Sequence, residues 1–293
     1  MIKNIKLSIF PRFTAAIILL FTLLIIVTQT PFIVAGGYLG GVEYTWQYYR
    51  PLIGGIQIEV YIEDPTAVIR RGYCTLGYPV ERGLFTRGVI TAGHCSLFYY
   101  SPENITYSRI YVYQPRYSYF YPYYYIGNPS FVNLSADVMF IPYSNISPVL
   151  LFYTGWQLRQ VPIADYVPWD TLKFLFESGL LREDTPIYKT GRSTGSTWGY
   201  ILRFYDYITI SGRDWRNQTV DFKAYYVIYS DLPSYFGDSG SPVFFFWGDD
   251  PRTASEATLI GHAVAINTAN NYTYITSVSA VIYSGFRPIT INP

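Results

Sequence analysis

Two short segments carry side chains able to act together as a nucleophile and its base. Gly88-Val89-Ile90-Thr91-Ala92-Gly93-His94-Cys95 runs from β-branched residues through two small ones to a histidine. Gly237-Asp238-Ser239-Gly240-Ser241-Pro242-Val243 sets a serine among small residues, where a tight turn exposes its hydroxyl. A serine hydroxyl is a weak nucleophile near neutral pH and needs an adjacent base, a role that His94 can fill. The imidazole in turn needs a group that fixes its tautomer and stabilises its cation, usually a buried carboxylate. Asp137 leads the candidates: it heads the apolar run Val138-Met139-Phe140-Ile141-Pro142 and lies between the two motifs in sequence. Asp165, Asp170 and Asp184 compete from a presumed connection, and Asp206, Asp214 and Asp221 from polar turns or beside charges. The amides of Gly237 and Ser239 can point into one concavity and hold a developing oxyanion. Alone, one motif reads as a structural histidine and the other as a Gly/Ser/Pro turn. Their joint presence is far more specific.

Composition narrows the setting. The chain has 293 residues, 21 Lys+Arg against 20 Asp+Glu, and a formal net charge of +1. So even a balance offers no basic face for phosphate neutralisation, which excludes a nucleic-acid partner. Half the residues are hydrophobic, which excludes wholesale disorder. With 2 histidines and 2 cysteines, neither a multi-zinc protein nor a disulfide-dense scaffold can be built, so no metal and no cofactor is expected.

The N-terminus reads as a targeting segment. Lys3, Lys6 and Arg12 precede the uncharged run Ala15–Val27, which has the length of a signal-peptide core. Ile33-Val34-Ala35 before Gly36-Gly37 offers a cleavage site ending in a small residue. Read through from Thr14 to Ala35, the same stretch is long enough to remain as a membrane anchor. Residues 1–35 are therefore expected to be a signal peptide or signal anchor, with 14–35 as a membrane tether if retained. Residues 36–52 follow as a short pro-segment or tether. Both readings place the remainder outside the cell, secreted or held at the outer face of the membrane. Sequons at Asn104, Asn133, Asn145, Asn217 and Asn271 agree with that address and with a glycoprotein.

The elements that must position these residues are strands. Runs rich in Ile, Val, Tyr, Phe and Thr, such as Ile56–Ile62, Gly88–Thr91, Ala224–Tyr229 and Leu259–Ile266, alternate with Gly, Pro, Asn and Asp. Short strands at such spacing suggest an all-β sandwich or barrel. Residues 151–180, with Pro162, Pro168 and a short helix near Thr171–Ser178, read as a connection between two β halves. The tyrosine-dense segment 99–125 resembles low complexity, and half-buried strands are the favoured reading.

Thr91-Ala92-Gly93-His94-Cys95, Ala136-Asp137-Val138-Met139-Phe140-Ile141-Pro142 and Gly237-Asp238-Ser239-Gly240-Ser241-Pro242-Val243 together resemble the chymotrypsin-like serine peptidases. The likeness is nearest to the bacterial streptogrisin and alpha-lytic protease branch, and His, Asp and Ser stand in that family's order, which is also a general template for this triad. Ile53-Gly54-Gly55-Ile56 and Lys189-Thr190-Gly191-Arg192-Ser193-Thr194-Gly195 are weaker matches, and the resemblance covers about residues 53–285. It implies two six-stranded antiparallel β-barrels, 53–150 and 181–293, with the active site between them. The activity implied is a serine endopeptidase acting on polypeptides through His94, Asp137 and Ser239, with Gly237 and Ser239 as oxyanion hole. Val264, Ala265 and Ile266 would pair with an extended substrate. Arg192 would hold Asp238, the residue before the serine. Cys74 and Cys95 match the family disulfide that closes the histidine loop, pairing being the default in an exported chain and two free thiols the alternative.

Specificity departs from the family. No acid stands at the usual pocket base near Pro233, so a preference for basic residues is not expected. His262 invites a role in reading acidic substrates, but it falls one residue early in its strand, and a packed histidine is the favoured reading. From another class, a catalytically silent relative acting as an extracellular binding or cell-surface structural module remains the competing function. An esterase is disfavoured because Ser241 stands where the second glycine of a Gly-x-Ser-x-Gly elbow belongs.

Overall fold

A computed structural model describes residues 36–63, 69–99, 109–213, 219–247 and 250–292. The N-terminal targeting segment and the sequons Asn104 and Asn217 lie outside the described residues, and among those described no helix is long and apolar enough to cross a membrane.

Strands dominate, as the β-branched and aromatic runs require. The first half contains β1 (Gly37–Gly40), β2 (Leu52–Gly54), β3 (Gln57–Glu63), β4 (Ile69–Thr75), β5 (Pro79–Arg82) and β6 (Thr86–Ala92). It continues with β7 (Ile110–Tyr113), β8 (Tyr125–Gly127), β9 (Phe131–Asn133), β10 (Val138–Pro142), β11 (Ile146–Tyr153) and β12 (Leu158–Tyr166). The second half contains β13 (Ile187–Gly191), β14 (Gly195–Gly199), β15 (Ile201–Arg213), β16 (Thr219–Ser230) and β17 (Pro242–Phe245). It ends with β18 (Ala257–Asn267), β19 (Tyr272–Ser277) and β20 (Phe286–Pro288). Helices α1 (Val42–Thr45), α2 (Trp169–Glu177) and α3 (Val278–Tyr283) are short. Residues 151–180 thus hold the end of β11, all of β12 and helix α2, the last close to where the sequence suggested one.

The described residues form an all-β fold of two halves, its strands joined in sheets of 11, 5 and 4. In the first half β4-β3-β7-β8 and β20-β5-β6-β10-β9 close around Ile56, Ile58, Val60, Leu76, Val89, Val112, Met139 and Ile141. In the second, β13 to β19 enclose Ile187, Ile228, Leu232, Val243, Phe245, Ile260 and Ile275. A third cluster, with Tyr78, Ile90, Phe140, Phe152, Phe244 and Phe286, draws on both halves and forms the seam. The chain ends cross this seam. Strand β1 pairs with β14 of the second half, while β20 returns to pair with β5 of the first. Segment 36–52, expected as a pro-segment or tether, is therefore in part a strand of the sheet.

Candidate active site

Register brings the histidine and the aspartate together. Strands β6 and β10 pair antiparallel with Val138 opposite Ala92, so the residues just beyond, Gly93-His94 and Asp137, leave the same end of the ladder. His94 opens a 3-10 turn over Gly93–Tyr99. Asp137 takes a left-handed conformation at φ 48, tolerated by a short polar side chain, and its N–H donates to Leu134 O at 3.0 Å. That turn aims the fully buried carboxylate at the histidine. Asp137 Oδ1 accepts the backbone N–H of His94 at 2.8 Å, and Oδ2 lies 2.9 Å from His94 Nδ1. An ionised carboxylate only accepts, so Nδ1 carries the proton and Nε2 presents its lone pair. Ser239 Oγ is 2.8 Å from Nε2 and donates to it. Among the described residues it is Asp137 that reaches the imidazole, while the competitor Asp214 lies outside them.

Ser239 sits on a turn whose shape depends on glycine. Gly237 has φ +99, and a Cβ there would lie 2.7 Å from Ser193 Oγ. The turn closes through Asp238 N–H to Tyr235 O at 3.0 Å and Ser241 N–H to Asp238 O at 2.9 Å. Among the described residues the N–H groups of Gly237 and Ser239 donate to no other group, which leaves both available to an oxyanion. Two struts fix the turn from opposite sides. Thr75, the last residue of β4, donates its N–H to Ser239 O at 2.9 Å and its hydroxyl to Gly237 O at 2.9 Å. From β18, Ala263 O accepts from Gly240 N–H at 2.8 Å and Ala263 N–H donates to Ser241 O at 2.9 Å.

The support of Asp238 differs from the expectation. Arg192 does not touch it. The buried ammonium of Lys189 does, at 2.9 Å from Oδ2, joined by the Thr194 hydroxyl at 2.7 Å and by the N–H groups of Ser193 and Tyr235. Side-chain alternation along β13 explains the exchange. Lys189 and Gly191 share the face turned to Asp238, where a Cβ on Gly191 would collide with Asp238 Oδ1. Arg192, one residue later, turns to the opposite side. Its Nε donates to Gln57 Oε1 at 2.9 Å and its guanidinium lies over Tyr73, 4.5 Å from the ring centre. Burial lowers the Lys189 pKa, and the charge of Asp238 opposes that shift. A lysine inside a strand run was the available signal for this role.

The remaining expected residues fall as follows. Cys74 and Cys95 form a disulfide, closing the histidine loop. Strand β18 runs past its pairing with β17, which ends at His262, so Val264, Ala265 and Ile266 keep one edge without a strand partner among the described residues. His262 is fully buried behind the site, and its Nε2 donates to Asp137 O at 2.9 Å while Nδ1 has no partner. Burial lowers its pKa, against the attraction of Asp137, and the ring is packed in the interior. Asp231, near the pocket wall, is also buried and accepts from Tyr200 N–H and Gly36 N–H, with its pKa raised by burial.

One element is longer than the sequence reading, which gave only the run Ala224–Tyr229. Strands β15 and β16 form a long hairpin that leans over the histidine. The Phe222 ring stacks on the His94 imidazole at 6.4 Å and 22°, and Tyr225 N–H donates to Ser135 O at 2.9 Å, two residues before Asp137. The hairpin thereby clamps the histidine and the aspartate loop from one side.

No family model matches the chain, and no curated protein matches it. Among solved structures the chain is similar to the chymotrypsin of Cellulomonas bogoriensis, with 17% identity, 81% of this chain and 98% of that chain covered, and a TM-score of 0.49. It is similar to a Nocardiopsis protease at 18% identity, with 81% and 98% covered and a TM-score of 0.48. Protease A of Thermobifida fusca is similar at 16% identity, again with 81% and 98% covered and a TM-score of 0.45. These neighbours are bacterial chymotrypsin-like serine proteases, and at such identity the likeness is one of fold.

Proposed function

We propose that the chain is a serine endopeptidase that works outside the cell, secreted or anchored at the membrane. One observation carries the reading: a continuous hydrogen-bonded relay from Ser239 Oγ through His94 to a buried Asp137, with links of 2.8 and 2.9 Å. Ser239 Oγ attacks a peptide carbonyl carbon as His94 Nε2 takes its proton. Asp137 holds the tautomer and stabilises the imidazolium. The carbonyl oxygen, now an anion, lies against the amides of Gly237 and Ser239, each such donor contributing about 3 kcal/mol in comparable sites. His94 returns its proton to the leaving amine, the C–N bond breaks, and an acyl ester remains on Ser239. Water, deprotonated by His94, then attacks the ester carbon, and the C–Oγ bond breaks as His94 returns that proton to Ser239 Oγ and the acid leaves. An extended acyl half would pair with the free edge of Val264, Ala265 and Ile266.

A fluorophosphonate probe tests the reading on the folded, oxidised protein. It is expected to label the wild type and to leave Ser239→Ala unlabelled, with casein cleaved by the former alone. A folded wild type that takes no label would favour the silent binding module.

A further inference from the structure

A cavity of about 510 Å³ opens beside the nucleophile turn. Its walls include Trp46, Tyr48, Tyr73 and Tyr121 together with Arg116 and Arg192, and no Asp or Glu lines it. Among the described residues neither cation has a carboxylate partner. The Arg192 guanidinium group donates to the neutral Gln57 and Ser193 and lies over the face of Tyr73, and Arg116 is exposed. Glu59, on β3 with Gln57, accepts Tyr117 N–H and faces Arg71. Two unneutralised guanidinium groups under an aromatic rim favour a carboxylate, which guanidinium binds in fork geometry.

The location names the source of that carboxylate. Ser239 stands between β18 on one side and Thr75 on the other. A polypeptide whose acyl half follows the edge of residues 264–266 sends its leaving half across Thr75. Arg192 lies there: its N–H donates to Thr75 Oγ1 at 2.9 Å, and its side chain lies against Gly237, where an added Cβ would be 3.0 Å from its Nη1. The aromatic wall is anchored to the same residue, since Trp46 Nε1 donates to Arg192 O at 3.0 Å. Cavity and nucleophile turn are thus contiguous. Resting on the peptidase reading, we infer that this cavity is a specificity site for an acidic side chain carried by the substrate within the first few residues after the scissile bond.

The test separates this site from the chemistry. Fluorescent peptides bearing one Glu, Gln or Lys at each of the four positions after the bond are titrated against Ser239→Ala protein by anisotropy. At one position Glu should bind about tenfold tighter than Gln, with Lys weakest. Arg116→Gln should collapse that ratio and Arg116→Glu should invert the order of Glu and Lys. Equal binding of Glu and Gln at every position overturns the inference, and so does a Glu preference that survives both variants. Fluorophosphonate labelling of the wild type reports independently on the peptidase reading, whichever way the titration falls.

Discussion

The ammonium of Lys189 is fully enclosed and its counter-charge, Asp238, directly precedes the nucleophile. Removing one partner of such a pair leaves an uncompensated charge in the interior and costs about 3–5 kcal/mol. Lys189→Met, which keeps much of the volume, should lower the unfolding free energy by that amount in urea. It should also slow fluorophosphonate labelling, because Asp238 then loses the fixed point that shapes the turn. Adding Asp238→Asn to the same protein should restore part of the stability. A Lys189→Met protein of wild-type stability would remove the lysine from this role. His262 supplies a pH signature. Its folded pKa is depressed by burial, whereas the unfolded chain protonates it below about 6.5. The unfolded state therefore binds more protons as acidity rises, and stability falls as pH drops through that ordinary value. The slope approaches about 1.4 kcal/mol per pH unit. His262→Gln, which can still donate to Asp137 O, should flatten that part of the stability curve between pH 7 and 5.

Hairpin β15–β16 acts as an element, not through one contact. Phe222→Ala should leave the relay's hydrogen bonds in place but free the imidazole to tilt, and misplacement of that kind costs roughly 10- to 100-fold in rate. Pre-steady-state labelling, compared with the melting curve, distinguishes this from global loosening. What was legible at this scale followed from chemistry carried by local runs. The strand end leading to His94, the strand head at Asp137, the Gly-Asp-Ser-Gly turn and helix α2 each announce themselves within about ten residues. The role of Lys189 was not legible, because Lys189 lies inside β13 and Arg192 in the turn that follows it, and only the folded geometry decides which of them faces Asp238. The Phe222 clamp was invisible for another reason. Its partner lies more than a hundred positions away, and a phenylalanine in an alternating strand reads equally as core. The tyrosines gain a partial account: Tyr61, Tyr111, Tyr113, Tyr117 and Tyr125 form one mutually packed surface cluster on the first half, and Tyr205, Tyr229, Tyr272 and Tyr274 another on the second.

For the molecule as a whole, the crossed chain ends matter most. The final strand belongs to the sheet of the first half, and its Phe286 is buried at the seam against Phe131 and Phe140. Phe286→Ala should cost about 3–5 kcal/mol, and urea unfolding followed by fluorescence and by circular dichroism should shift together, because the seam joins both cores. Separate transitions for the two halves would contradict that coupling. The strut from Thr75 to the serine turn has a comparable reach. It comes from one half of the molecule and steadies the nucleophile carried by the other. The proposed centre is consequently an interlock: its relay and its braced turn come together only while both halves are docked. A chain still folding, or one partly undone, holds Ser239 without its brace and without the histidine that activates it. On the peptidase reading, nascent copies would be spared from that chemistry until the halves dock, and a ligand that wedged the halves apart would silence the site without touching the relay.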